Sequence, residues 1–134
     1  DAATRFKIAS RIIDGLTAKG VKVEDIYVDP LIQPISVDTK NGLAAAETIR
    51  MVKESYPGVH AICGLSNISF GLPERKLLNQ AYLVVCATYG LDAVILDPED
   101  KRIMALVYAS EALLNRDPYC GEYLKAYRKG FLKM

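Results

Sequence analysis

The chain has 134 residues, of which 51% are hydrophobic and 25% charged, with a net charge of +1. That balance suits one globular domain or part of a larger one, and it offers neither the basic excess of a nucleic-acid binder nor a charged tail. No apolar run approaches the ~18 residues of a membrane span, and the charged N-terminus is unlike a signal peptide; the expectation is a cytoplasmic protein with no membrane and no nucleic-acid partner.

Residues Ala2 to Lys19 predict a helix with Phe6, Ala9, Ile13 and Leu16 on one face, Asp1 placed to cap it and Gly20 to end it. A short strand, Ile26-Tyr27-Val28, runs into Asp29-Pro30. The next helix, Ala44 to Lys53, has Leu43, Ala46, Ile49 and Val52 as its apolar residues. Val59 to Gly64 is a second strand, followed by a helix from Pro73 to Tyr89 that Gly90 would stop. Ala93 to Leu96 is a third strand, ending at Asp97-Pro98. Helices are expected over Glu99 to Asn115 and Gly121 to Leu132, and Tyr119, Tyr123 and Tyr127, four apart, read as a helix face packed inward.

Short all-apolar strands between amphipathic helices argue for a parallel sheet covered by helices. The strand ends at Asp29, Asn67 and Asp97 recur at about 30 to 40 residues, the spacing of βα units. Ligands of α/β folds bind at the carboxyl ends of the strands, so three polar groups share one rim. Three strands leave two raw sheet edges, and a (β/α)8 barrel needs about 250 residues. The expectation is therefore a single domain over residues 1–134 that forms the last three strand-helix units of a TIM barrel, with the earlier strands on another chain or absent. A flavodoxin-like sheet is the rival, although it wants about five strands.

The segment Gly64-Leu65-Ser66-Asn67-Ile68-Ser69-Phe70-Gly71-Leu72-Pro73-Glu74-Arg75 carries the most functional information. It places uncharged polar side chains at the end of a buried strand, where folding alone would favour apolar ones. Cys63, Cys86 and Cys120 lack C-x-x-C spacing; Cys63 and Cys86 lie in apolar segments and read as buried reduced thiols. With His60 the only histidine, a zinc site is poorly equipped and no metal is expected.

Asp25-Ile26-Tyr27-Val28-Asp29-Pro30-Leu31, Gly64 to Gly71 and Leu77-Leu78-Asn79, with Gly90-Leu91-Asp92, Leu114-Asn115-Arg116 and Tyr119-Cys120, resemble the pterin-binding methyltransferases. The resemblance is to methyltetrahydrofolate:corrinoid/iron-sulfur protein methyltransferase first. The folate domain of cobalamin-dependent methionine synthase is nearer than dihydropteroate synthase. It implies a dihydropteroate-synthase-like barrel that transfers the N5 methyl group of 5-methyltetrahydrofolate to Co(I) of a corrinoid, or cobalamin, carried by a partner protein. It also implies that the missing barrel half or a homo-oligomer completes the pocket.

On this resemblance Asp29 hydrogen-bonds pterin ring nitrogens, Asn67 is the catalytic residue reaching toward N5, Gly64 and Ser66 line the pterin floor, and Arg75 lies close by. Asp97, on the same rim, is a further substrate-binding candidate. A carboxylate matches the N–H groups of a pterin edge, and an amide that strengthens its bond as N5 gains a proton favours the transition state. Each residue also has a purely structural alternative: Asp29-Pro30 and Asp97-Pro98 are common turn pairs, Asn67 can satisfy loop backbone, and Arg75 can be a solvated first-turn residue. A dihydropteroate synthase-type enzyme and a non-catalytic pterin-binding fragment are the alternative functions. Phe70 stands where the related corrinoid enzymes are more polar, so no polar contact is carried over to it.

Overall fold

The computed structural model describes residues 1–133. Helix α1 (Ala2–Ala18) begins at Asp1, whose carboxylate accepts from the Thr4 N–H at 2.8 Å, and ends before Gly20 at φ +92°. Strand β1 (Tyr27–Val28), helix α2 (Asn41–Ser55), strand β2 (His60–Gly64), helix α3 (Arg75–Tyr89), strand β3 (Ala93–Ile95) and helix α4 (Lys101–Leu113) follow, and a short helix α5 (Gly121–Arg128) comes last. The strands form one parallel sheet in the order β1-β2-β3, with Tyr27 opposite His60 and Gly64 opposite Ile95.

The sheet is covered on one face. Ala61 and Cys63 of β2 are buried in a core with Ala45 and Ile49 of α2, Leu83 and Cys86 of α3, and Ile103 of α4. A second cluster joins Ala9 and Ile13 of α1 to Ile26, Val52 and Val59. Each fully buried aliphatic side chain of this kind contributes about 1.5–3 kcal/mol. The residues alternating with Ala61 and Cys63 face the other way, and on that side Tyr27 is 56% and Ile95 66% exposed. Sequential strand order with helices on a single face differs from the flavodoxin-like alternative, whose strand order reverses and whose helices lie on both faces.

Cys63 and Cys86 are buried free thiols, whereas Cys120 is exposed. A hydrogen bond with Cys86, together with burial, pushes the Cys63 thiol far up, so it stays protonated. Among the described residues no helix is long and apolar enough to cross a membrane.

Several expected details shift. Helix α3 starts at Arg75 rather than Pro73, because a 3-10 turn (Leu65–Ser69) and Glu74 in the left-handed region at φ +54° occupy the preceding residues. Leu43 is exposed, since α2 turns Ala45, Ala46, Ile49 and Val52 inward instead. The tyrosines do not pack inward: Tyr119 is 98% and Tyr127 69% exposed, and Ala126 is the buried residue of α5. Tyr119 sits in a left-handed turn ahead of the helix, at φ +57°, and so falls outside its register. Asp117 accepts from the N–H groups of Glu122 and Tyr123, both at 2.9 Å, and holds the start of α5.

Candidate functional site at the carboxyl ends of the strands

All three strands point the same way, so Asp29, the turn after Gly64, and Asp97 lie along one edge of the sheet. Adjacent strands are about 4.8 Å apart, which places the ends of β1 and β3 about 10 Å from each other with β2 between them.

Asp29 is exposed, and its Oδ1 accepts from the Leu31 N–H at 2.8 Å, forming the turn expected of Asp-Pro. A carboxylate has about four lone-pair positions, so this turn leaves Oδ2 and part of Oδ1 available. Leu31 takes a left-handed conformation at φ +63°, and Arg5 of α1 donates to the Pro30 carbonyl at 3.2 Å. Asp97 repeats the arrangement, with its Oδ1 accepting from the Glu99 N–H at 2.9 Å.

Asn67 is held by a loop distant in sequence. Its Nδ2 donates to the Ile32 carbonyl at 2.7 Å. An amide oxygen at that distance from a carbonyl would be repelled, so the amide orientation follows from chemistry: Nδ2 faces Ile32. Among the described residues no donor engages its Oδ1. Two more bonds join the same pair of loops, from Ile35 N–H to the Ile68 carbonyl at 3.2 Å and from Ser36 Oγ to the Phe70 carbonyl at 2.7 Å. The segments carrying Asp29 and Asn67 are thus stitched together at three points.

Gly64, Ser66 and Asp97 line one cleft of about 220 Å³, together with Lys76, Asn79, Ile95 and Asp100. A Cβ built on Gly64 meets nothing within 4 Å, so close packing is not what the glycine serves. Asp29 lines the neighbouring groove against α1 rather than this cleft. Arg75 is exposed on the first turn of α3 but is also engaged: its Nε donates to Ser69 Oγ at 3.0 Å and its Nη2 to the Ser66 carbonyl at 2.8 Å.

Lys76 and Asp100 do not stand out in the sequence, and Asn79 enters there only through the Leu77-Leu78-Asn79 resemblance, with local bonding within its helix as its favoured reading. Asn79 and Lys76 belong to α3 and Asp100 caps α4, so their shared cleft depends on helix packing rather than on a local motif. Burial pushes the Asp100 carboxyl up, but hydrogen bonds from Gln80 and from the N–H groups of Ile103 and Arg102 outweigh it and hold it below its ordinary value. No group of three or more His, Cys, Asp or Glu side chains converges to hold a metal among the described residues.

A parallel sheet whose polar strand ends share one rim has the arrangement at which α/β domains hold their ligands. The chain belongs to the pterin binding enzyme family, which matches residues 4–97. It is 39% identical over 105 residues to a methylcorrinoid:tetrahydrofolate methyltransferase of Eubacterium limosum, covering 78% of this chain and 39% of that protein. It is 34% identical over 122 residues to the methionine synthases of Mycobacterium tuberculosis and Mycobacterium leprae, covering 10% and 9% of those proteins and 78% and 85% of this chain. The chain therefore spans less than half the length of each of these curated relatives.

Proposed function

We propose that this chain is the strand-end portion of a methyltransferase that moves a methyl group between N5 of a tetrahydrofolate and the cobalt of a corrinoid carried by a partner protein. The geometry that carries this reading is the stitched pair of strand-end loops, which presents Asp29 and Asn67 on adjacent strands with unengaged oxygen acceptors. The names of the relatives supply the chemistry, one joining a corrinoid to tetrahydrofolate in methyl transfer and the others making methionine. The first of these names is written from methylcorrinoid to tetrahydrofolate. Forward and reverse transfer share one transition state, so the roles below serve both directions.

In this reading the three units close into a (β/α)8 barrel whose remaining strands pack on the open face at Tyr27 and Ile95. Asp29 accepts N–H bonds from the pterin edge, a charge-assisted contact that orients the ring. Gly64 and Ser66 form a floor flat enough for the ring to approach, and Asp97 bounds the cleft from β3. The amide of Asn67, its Nδ2 already engaged, offers Oδ1 to a protonated N5. That bond strengthens as N5 takes a proton from solvent on the way to the transition state, and so lowers the barrier more than it aids binding. The nucleophile would be the corrinoid metal when the corrinoid accepts the methyl group and N5 when it donates it, so no protein nucleophile is required in either direction.

Asn67→Ala in the enzyme as isolated is expected to slow methyl transfer by about 10²-fold, the usual cost of removing one transition-state hydrogen bond. The rate is followed by the loss of Co(I) absorbance when the methyl acceptor is the corrinoid. Wild-type turnover in this variant would sink the assignment of Asn67. Calorimetric binding of 5-methyltetrahydrofolate without any methyl transfer would mark a module that merely retains pterin-facing residues.

A further inference from the structure

We infer that Arg75 is a positioning residue for Asn67, acting through the Ser66 carbonyl and the buried Ser69 hydroxyl; this rests on the role of Asn67 proposed above. The Ser66 carbonyl belongs to the peptide unit that leads directly into Asn67. Arg75 Nη2 pins that carbonyl at 2.8 Å. The next peptide unit is pinned by Phe70, whose N–H donates to the Asn67 carbonyl at 3.2 Å. With Nδ2 tied to Ile32 at 2.7 Å, Asn67 is fixed on both backbone sides and at its tip.

Proton accounting at Ser69 shows why an arginine is needed. Ser69 is 0% exposed, and its hydroxyl has one proton but two acceptors in reach, the Ser66 carbonyl at 3.0 Å and Asn79 Oδ1 at 2.7 Å. Arg75 serves the Ser66 carbonyl with its own N–H and donates a second to Ser69 Oγ at 3.0 Å. The serine proton is then left for Asn79, which lines the cleft beside Gly64 and Ser66. One guanidinium thereby orders the backbone leading into Asn67 and the cleft-lining amide of Asn79. Its planar fork reaches two acceptors in fixed geometry while its carbon centre lies 5.9 Å from the Phe70 ring centroid; an ammonium has three donors but on one flexible nitrogen, without that fixed fork.

The test compares Arg75→Gln, Arg75→Lys, Ser69→Ala, Asn67→Ala and the Asn67→Ala/Arg75→Gln double variant. Each is measured by calorimetric Kd for 5-methyltetrahydrofolate and by single-turnover methyl-transfer rate with the corrinoid protein. Arg75→Gln is expected to slow the single turnover about tenfold while Kd stays within about twofold, and Arg75→Lys is expected not to restore the rate. On the Asn67→Ala background, Arg75→Gln is expected to add less than about a twofold loss, because both changes remove one function.

Ser69→Ala, which leaves the charge in place, is expected to slow the turnover about threefold with the same unchanged Kd, and it carries the test where Arg75→Gln fails to fold. A Kd weakened more than about tenfold by Arg75→Gln, or losses that multiply in the double variant, would show a direct ligand contact and overturn the positioning role alone. A wild-type rate for Asn67→Ala overturns the role of Asn67 itself, and the positioning role with it.

Discussion

Asp92 stands at the amino end of β3, opposite the polar rim, and ties three elements together. Its Oδ2 meets Lys53 Nζ at 3.0 Å and His60 Nδ1 at 2.8 Å, while Oδ1 accepts from the Ala61 N–H at 2.8 Å. Asp92→Ala is expected to destabilise the chain by about 2–3 kcal/mol. The larger part comes from the Ala61 N–H in β2, which loses its charged acceptor at a cost of about 1–2 kcal/mol. The Lys53 and His60 contacts are partly exposed and solvent-screened, and contribute about 0.5 kcal/mol each. Asp92→Asn keeps an oxygen for Ala61 and is expected to cost only about 1 kcal/mol.

Burial pushes the Asp92 carboxyl up, but the bonds from His60, the Ala61 N–H and Lys53 outweigh it and hold the group below its ordinary value. A carboxyl depressed in the folded state contributes stability above its unfolded value, about pH 4, and loses it as pH falls through the folded value. The gap between wild type and Asp92→Asn is therefore full at pH 7 and closes in acid below about pH 4. Urea unfolding followed by far-UV circular dichroism at pH 7 and about pH 3 measures both quantities. The reasoning fails if Asp92→Ala costs no more than Asp92→Asn, or if the wild-type advantage is unchanged in acid.

Gly64→Ala is expected to leave stability within about 0.5 kcal/mol, because its Cβ meets no neighbour and the native φ of −84° suits alanine, yet to weaken 5-methyltetrahydrofolate binding about tenfold by calorimetry. Equal affinity for both proteins would remove Gly64 from the floor of the cleft. Gly90→Ala is expected to cost about 1–2 kcal/mol in the same urea experiment, since Gly90 ends α3 at φ +115° and its Cβ would lie 3.1 Å from Lys53 Cγ.

The order of elements was legible because it rests on local periodicity: Ala9 and Ile13, or Ile49 and Val52, recur at helical spacing and are buried. The cap at Asp1 and the stop at Gly90 were legible for the same reason, as each acts within a few residues of itself. The start of α3 was not, since Pro73 fits a helix start but the left-handed Glu74 intervenes. Side-chain partners were the least legible. Asn67 bonds Ile32, 35 residues away, and Ser36 bonds Phe70, 34 residues away, pairings that exist only once β1 and β2 lie side by side. The turn reading and the ligand reading of Asp29 also prove compatible, since the turn engages only one of its oxygens.

The three bonds between the β1–α2 loop and the turn after β2 also bear on entropy. Ordering a loop costs roughly 1–2 kcal/mol per residue, and here that cost is met by folding rather than by association. A ligand arriving at this rim finds Asp29 and Asn67 carried by one rigid body, with little loop freedom left to lose. The same rigidity gives Ser36, bonded to the Phe70 carbonyl rather than to Asn67 itself, a mechanical hold on the position of Asn67.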